Sequence, residues 1–419
     1  HAVENYRQIL NADGFKELLE SEHWDIVPGG KYYVTRNNTS ILAFKVGTKL
    51  ENYSFNIVTS HTDSPTFKVK ENAEIEVKNK YTQLNTEGYG GMLCATWLDR
   101  PLSIAGRVLV SEGNSIVTKL LNIDRDLLMI PNVAIHMNRA ANDGFKYNLQ
   151  VDMLPLLSAG DDRQKDFKQI LADELGVKKE DILGHDLYLY NRMAPSIWGA
   201  NEEFISAGHL DDLQCGFASL KALLSGYNDE SIDIMACFDN EEVGSGTKQG
   251  ADSTLLRDTL TRINSALGKT EEDYHRALAS SFMLSSDNAH AVHPNHPEHT
   301  DATNCTYMNE GVVVKSHAGQ KYTSDGVSMA VVKALASGAD VPLQYFANRS
   351  DKAGGSTLGN IAMAQASMNA VDIGLPQLAM HSSYETAGIK DTYYAISLMK
   401  ALFDSHIQET STHSLEIKR

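Results

Sequence analysis

No stretch of this 419-residue chain approaches about 18 consecutive apolar residues, so no segment reads as a membrane-spanning helix. Cysteine is scarce: Cys94, Cys215, Cys237 and Cys305 are the only four, and none lies in a Cys-x-x-Cys pair. That argues against a disulfide framework and against a thiolate metal site, and it points to buried, reduced thiols. Any metal here is then held by His, Asp and Glu. Basic residues are outnumbered 37 to 54, which leaves a formal net charge of -17. Such a chain repels phosphate backbones, so neither nucleic acid nor an anionic membrane surface is an expected partner. The amino-terminal stretch is amphipathic and acidic and lacks a basic segment followed by an apolar run. A secretion signal is not expected, and the cytoplasm is the expected location. Short internal repeats and low-complexity tracts are absent as well.

What is present is an ordinary globular composition, 42% hydrophobic and 22% charged, long enough for two domains. The hydrophobic spacing predicts a helix near residues 6–19, then a hairpin from GGKYYVTRN and SILAFKVG. Phe55-Asn56-Ile57-Val58 reads as a buried strand that stops just before His61. From about residue 68 to 195 short β-like segments dominate, with one helix near residues 166–175. After residue 197 strands and helices alternate. Helices are expected near 212–225 (with Leu213, Phe217, Leu220 and Leu224 on one face), 253–267, 327–336, 358–368 and 393–406. Strands are expected at 232–238, 282–284 and GVVVKS. The expectation is an α/β domain, residues 1–73 and 197–419, with a largely parallel or mixed sheet, interrupted by a β-rich domain at 74–196.

The chemistry sits where strands run out. SHTD at 60–63, GHLDD at 208–212, DNEE at 239–242 and SSDN at 285–288 each follow an apolar run, and Met380-His381-Ser382 follows LPQLA. Loops at strand ends of one α/β sheet converge in space. Together they offer two histidines and several carboxylates, the donor set for a pair of divalent ions. Two metals about 3.5–4 Å apart need a bridging carboxylate, a shared water and a general base that is not itself a ligand. The adjacent Glu241 and Glu242 fit that division, because neighbouring side chains point different ways and one ligates while the other faces water. Asp211 is expected on metal and Asp212 at a helix start. His290, His293, His296 and His299 recur every three residues, but Pro294 and Pro297 break any helix there. Asp287 is the expected ligand of that segment, and the histidines are expected to line the cleft mouth or make structural hydrogen bonds.

These motifs, with YGGMLCATWLDRPLSIAGRV at 89–108, IPNVAIHMNR at 130–139, HLDDL at 209–213, DNEEVGS at 239–245, SSDNAHAVHPNH at 285–296 and QLAMHSSYETAG at 377–388, run through nearly the whole chain. In kind and order they resemble the aspartyl aminopeptidase family of metallopeptidases, which includes the vacuolar aminopeptidase I type. The resemblance implies a zinc-peptidase α/β fold interrupted by a β-rich dimerisation domain. It implies that His61, Asp211 and Asp287 hold one metal, that Asp211 bridges to a second completed by Glu242 and His381, and that Glu241 is the general base. Asp63 would orient His61. The metals would be two divalent ions per subunit, zinc with cobalt or manganese as alternatives. A metal-bridging hydroxide would attack the first peptide bond of a peptide substrate. The resemblance further implies a homo-dodecamer built from dimers, with His136 reaching a neighbouring subunit's active site.

Substrate preference is less determined by these motifs. Acid-preferring members need a cation near the first side chain, for which Lys315, Lys321 and Arg349 are candidates. HAGQKYTSDG carries Gly319 and Gln320 where a more basic stretch is expected, and Pro101 stands where the family often has an acid. The backbone N–H groups of Gly354-Gly355-Ser356-Thr357 precede a helix and are candidates for holding a substrate carbonyl. A related two-metal deacylase or carboxypeptidase, or a non-catalytic shell or cargo protein of the same fold, stays open as an alternative.

Overall fold

A computed structural model describes residues 1–160, 166–412 and 414–419. The packing divides the chain into two units. One comprises Ser64–Ser196 with His1 and His381–Glu385; the other comprises Ala2–Asp63, Ile197–Met380 and Thr386–Arg419.

The larger unit is built on a nine-stranded mixed sheet. Its strand order is Lys16–Leu18, Lys31–Arg36, Ser40–Val46, Ser231–Phe238, Ser54–His61, Phe282–Ser286, Asn369–Gly374, Val312–Lys315 and Leu343–Phe346. The four central strands, from Ser231–Phe238 to Asn369–Gly374, run parallel. The hairpin strand Ser40–Val46 joins one side antiparallel, and Val312–Lys315 joins the other side antiparallel. Parallel strands are covered on both faces and so read as continuous apolar runs, and every residue of Ser54–His61 and Ser231–Phe238 is buried. Alternation sorts their side chains between two cores. Val58, Met235, Cys237 and Leu284 join Leu10, Leu220, Val332 and Leu398 from helices on one face. Ile57, Ile234, Phe238 and Met283 join Leu256, Ile263, Tyr274 and Leu358 on the other.

Local chemistry explains where the helices differ from the sequence reading. The first helix is Ala2–Ala12, not residues 6–19: Gly14, at φ +84°, turns the chain left-handed, and the Phe15 N–H closes the end on the Leu10 carbonyl. Residues 16–18 then form a strand instead. The helix Glu271–Ala279, absent from the expectation, starts with a reciprocal capping box between Thr270 and Asp273. In Leu210–Ser225 the expected apolar face is misplaced. Phe217 is 42% exposed, while Cys215, Ala218, Ala222 and Leu223 are buried. The reason is close approach: a Cβ on Gly216 would lie 2.3 Å from the Tyr6 hydroxyl of the first helix and 3.5 Å from Ser60 Oγ on the sheet, so the small-residue face packs inward and turns Phe217 outward.

The smaller unit is a six-stranded antiparallel sheet in the order Ser115–Asn122, Leu102–Glu112, Ile182–Asn191, Thr66–Val77, Tyr81–Tyr89 and Leu156–Ala159. It starts at Ser64, ahead of the expected residue 74, because Thr66–Val77 pairs along its length with Tyr81–Tyr89. The helix Phe167–Leu175 is capped by the Asp166 side chain, and its Phe167 and Leu171 join a core of Phe67, Trp97, Leu102, Ile104 and Leu187. All four cysteines are unpaired thiols; Cys215 and Cys237 are buried as expected, whereas Cys94 and Cys305 are only partly buried. No helix among the described residues is long and apolar enough to cross a membrane.

Leu220 is fully buried between its helix and the sheet. Leu220→Ala is expected to lower unfolding free energy by about 2–5 kcal/mol in denaturant titration, and a loss near zero would contradict the packing described.

Candidate metal centre

The register of the parallel strands makes the centre. Phe238 pairs with His61, and Ser285 pairs with Thr59, so His61, Asp239–Glu242 and Asp287 leave the sheet at one edge. Glu241 begins a single 3-10 turn, Glu241–Val243, entered through Asn240 at φ +64°. Asparagine tolerates that left-handed conformation, and its Oδ1 accepts from the Thr247 hydroxyl at 2.8 Å and the Gln249 amide at 2.7 Å. Asp211 arrives from a fourth direction. It sits at the head of Leu210–Ser225 but outside helical geometry, at φ -81° and ψ 111°, and the Asp211–Asp212 peptide is cis.

The convergence is tight. One ligand atom each from His61, Asp211 and Asp287 lies within 4.8 Å of the others, and the same holds for His61, Glu241 and Glu242. The Nε2 of His61 is 3.5 Å from Asp211 Oδ1, and its Nδ1 bonds to the Asp63 backbone carbonyl at 3.0 Å. The carboxylate of Asp63 lies 3.4 Å from the same Nδ1. It also accepts the backbone N–H groups of Glu241 and Glu242, each at 3.1 Å. Asp63 therefore sets the position of the glutamate pair as well as lying beside the histidine. Asp212 does not act as a simple helix-starting acid. Its carboxylate is buried and accepts the His61 backbone N–H at 3.2 Å.

Burial and crowding shift the protonation of His61, Glu241, Asp287 and Asp212. Burial opposes charge on His61, but the Asp211 and Asp63 carboxylates raise its pKa well above the ordinary value. Burial, then the Asp287 charge, pushes Glu241 up to about 7. Burial raises Asp287 to about 6, although Lys315 pulls it down and Asp211 pushes it further up. Burial also drives Asp212 well above the carboxylate range. These are carboxylates short of positive charge. A set of imidazole and carboxylate donors, buried and mutually repelling, is what borderline divalent cations bind. The donor set thus fits the metal pair.

The remaining candidates are placed as follows. Lys315 is buried. Its ammonium donates to the Asn288 carbonyl at 2.8 Å and lies 4.0 Å from Asp287 Oδ1. Lys321 is partly exposed and donates to the carbonyls of Ala353 and Gly354 at 3.1 and 3.2 Å. Gly355 is exposed with open space around its α-carbon. Arg349 pairs with Asp351 at 2.8 Å on the surface. In the smaller unit, the Nδ1 of His381 bonds to the Gly91 carbonyl at 2.6 Å, which makes Nε2 the basic nitrogen, and its backbone N–H is held by Glu385. His136 lies in an exposed turn, Ala134–Asn138, rather than a strand.

A family model described as aminopeptidase I zinc metalloprotease (M18) matches residues 1–403. The chain belongs to this family. It is 47% identical over 410 residues to a probable M18 family aminopeptidase 2 of Clostridium novyi, covering 96% of this chain and 95% of the relative. A second, from Clostridium acetobutylicum, is 48% identical over 400 residues, covering 94% and 92%. Among solved structures, one of an Ape4 and Nbr1 complex superposes with a TM-score of 0.93 at 35% identity, covering 96% of this chain and 82% of that one. A crystal structure of prApe1 superposes at 0.91 with 28% identity, covering 96% and 90%. The chain is accordingly a zinc-type metallo-aminopeptidase of the M18 family.

Two residues that hold this M18 centre together were not picked out from the sequence. Asn288 donates to the Leu210 carbonyl at 3.0 Å, to Gln377 Oε1 at 2.9 Å and to Gln214 Oε1 at 3.2 Å, tying the Asp287 strand end to the turn before Asp211. Asp372 is fully buried and accepts the Thr323 N–H and hydroxyl at 2.6 and 2.7 Å, the Ser285 hydroxyl at 2.9 Å and the Thr357 hydroxyl. It anchors the loops carrying Lys321 and Gly355 to the sheet. SSDN carries a faint signal for Asn288; nothing in VDIG marks Asp372.

Glu241 carries a pKa raised to about 7, so in the metal-free protein its ionised form opposes folding above the ordinary carboxylate pKa. That cost is full above pH 7 and vanishes as the group protonates toward pH 4. Glu241→Gln is therefore expected to raise the melting temperature of chelator-stripped protein at pH 8, with the gain shrinking steadily by pH 5. A gain that does not change with pH would contradict the charge crowding.

Proposed function

We propose that this M18 aminopeptidase removes single residues from peptide N-termini with two divalent metal ions per subunit, zinc natively and cobalt or manganese as substitutes. The observation that carries the proposal is the buried convergence of His61, Asp211 and Asp287, with Glu241 and Glu242 beside the same imidazole. His61, Asp211 and Asp287 are assigned to one ion, and Asp211, Glu242 and His381 to the other. A bound pair supplies Lewis-acid polarisation of the scissile carbonyl and acidifies a water between the ions. Glu241 is assigned as the base: it takes the proton from the attacking water and returns it to the leaving amine. Its support is a raised pKa, near the value a general base needs at neutral pH, and a backbone clamped by Asp63. Asp63 is a positioning residue for Glu241, Glu242 and His61.

An acidic first side chain is the finer reading of the substrate, with Lys321 as its cation. Lys315 suits that role less, because its ammonium is buried against Asn288 and Asp287. Gly355, beside the Gly354 carbonyl that Lys321 holds, is assigned to the substrate backbone. A homo-dodecamer of dimers is the proposed assembly, located in the cytoplasm, with His136 contributing to a neighbouring subunit. The likeness to a solved S. cerevisiae mApe1 dodecamer (TM-score 0.82, 28% identity, 96% of this chain and 92% of that one) supports this assembly. So does the turn around His136, where Val133, Ile135 and Met137 expose apolar side chains, Met137 at 84%.

Glu241→Gln, loaded with zinc and checked for metal content, is expected to hydrolyse aminoacyl anilides about 10²–10⁴-fold more slowly than the parent with its melting temperature retained. Parent-like turnover would remove the base assignment. A panel of Asp-, Glu-, Leu- and Ala-anilides tests the side chain, and Lys321→Met is expected to lower kcat/KM for the acidic pair by at least tenfold while sparing the neutral pair. Equal loss on all four would end the acidic reading. Met137→Glu with Ile135→Glu is expected to shift the assembly to smaller species in analytical ultracentrifugation; an unchanged sedimentation profile would move the interface elsewhere.

A further inference from the structure

The histidine series after Asp287 is not absorbed by the catalytic centre. In the larger unit, residues 293–300 wind through successive three-residue closures. The N–H of His296 bonds to the His293 carbonyl at 3.0 Å, and that of His299 to the His296 carbonyl at 3.1 Å. A 3-10 turn, Pro297–His299, completes the segment. The histidines fall beside one another: the His296 and His299 rings stack with centroids 5.4 Å apart, and the His293 ring packs tilted against His296 at 5.3 Å. Pro294 and Pro297 interrupt a longer helix and also fix φ, which stiffens the column before any ligand arrives. The segment is anchored by Arg349, which donates to the Glu298 carbonyl while paired with Asp351.

The geometry points to a second metal site on this surface, a zinc-type divalent cation held by His296, Glu298 and His299. One donor atom from each lies within 4.8 Å of the other two. His296 Nδ1 and Glu298 Oε1 are 3.1 Å apart. Two donors on a tetrahedral zinc are roughly 3.3 Å apart, so a cation takes the place of the shared proton with little movement of that pair. His299 closes the remaining gap by side-chain rotation in solvent, where His296 and Glu298 side chains are each 57% exposed. His293 stays outside the ligand set, because its Nδ1 accepts the Asn295 N–H and its ring packs tilted against that of His296. Two imidazoles and one carboxylate leave a coordination position open to water, and this set selects borderline ions such as zinc over magnesium or calcium.

The test counts metal on the whole enzyme. Wild type, His299→Ala, Glu298→Gln and the control His23→Ala are dialysed against buffered micromolar free zinc at pH 7.5, and zinc per subunit is measured by atomic spectroscopy. His23 is an exposed histidine 3.6 Å from Asp25, with no third donor grouped around it among the described residues. Wild type and His23→Ala are expected to hold one more zinc per subunit than His299→Ala, and Glu298→Gln is expected to need at least tenfold more free zinc for the same occupancy. Equal zinc counts in wild type and His299→Ala overturn the site, whatever the catalytic centre holds. A drop in His23→Ala equal to that in His299→Ala also overturns it, since it would mark nonspecific histidine binding.

Discussion

Mutual repulsion among buried carboxylates governs this molecule. Asp211, Glu242 and Asp287 stand around His61 with Glu241 alongside, and the raised values of Glu241 and Asp287 measure how poorly the protein alone satisfies them. A fold holds such a cluster only if something other than the carboxylates fixes it in place, and if cations arrive to balance it. Lys315 supplies one positive charge, buried beside Asp287. The remaining deficit is what bound cations neutralise. The same electrostatic imbalance that makes the cluster unfavourable by itself makes it a favourable place for divalent cations and holds the Glu241 pKa up at about 7.

The fixing is done by the sheet and by backbone donors. Parallel register brings Phe238 opposite His61 and Ser285 opposite Thr59, so three strand ends deliver their polar residues to one edge. The approach is close: a Cβ on Gly374 of the neighbouring strand would lie 2.1 Å from the Asp287 carbonyl. Asp63 and Asp212 then bind main-chain N–H groups of Glu241, Glu242 and His61. Bonds to main chain carry no rotamer freedom on the donor side, and those of the Asp63 carboxylate position the glutamate pair without using its side chains.

Much of this was legible in the sequence because the same physics writes both. An apolar run that ends in a carboxylate- or histidine-bearing loop is the signature of a parallel strand in an α/β sheet, and it marks His61, Asp211, Glu241, Glu242 and Asp287 without any tertiary information. The β-rich insertion was legible from the change in periodicity, but its start was not, since Thr66–Val77 looks the same in either unit until its partner Tyr81–Tyr89 is known. The burial of Phe217 was misjudged because large apolar residues outweigh small ones in any pattern count, whereas close helix–sheet approach favours Gly216 and Cys215. The charge of Lys315 was evident but its direction was not. A lysine at a strand end reads as solvated until the strand proves buried on both sides.

Asn288 and Asp372 show a different kind of invisibility. Neither belongs to a spacing rule, and each acts by accepting or donating several bonds to segments far away in sequence: Asn288 to Leu210 and Gln377, Asp372 to Thr323, Ser285 and Thr357. Such residues satisfy buried polar groups that the catalytic loops would otherwise leave exposed to a low-dielectric interior, and a partly satisfied network is costlier than none. The motifs at strand ends are visible because each is local to one segment. The anchors are dictated instead by how the loops happen to meet, which is a property of the fold and not of any one segment. The centre is therefore specified twice, locally by donor chemistry at strand ends and globally by buried polar residues whose partners only the tertiary structure supplies.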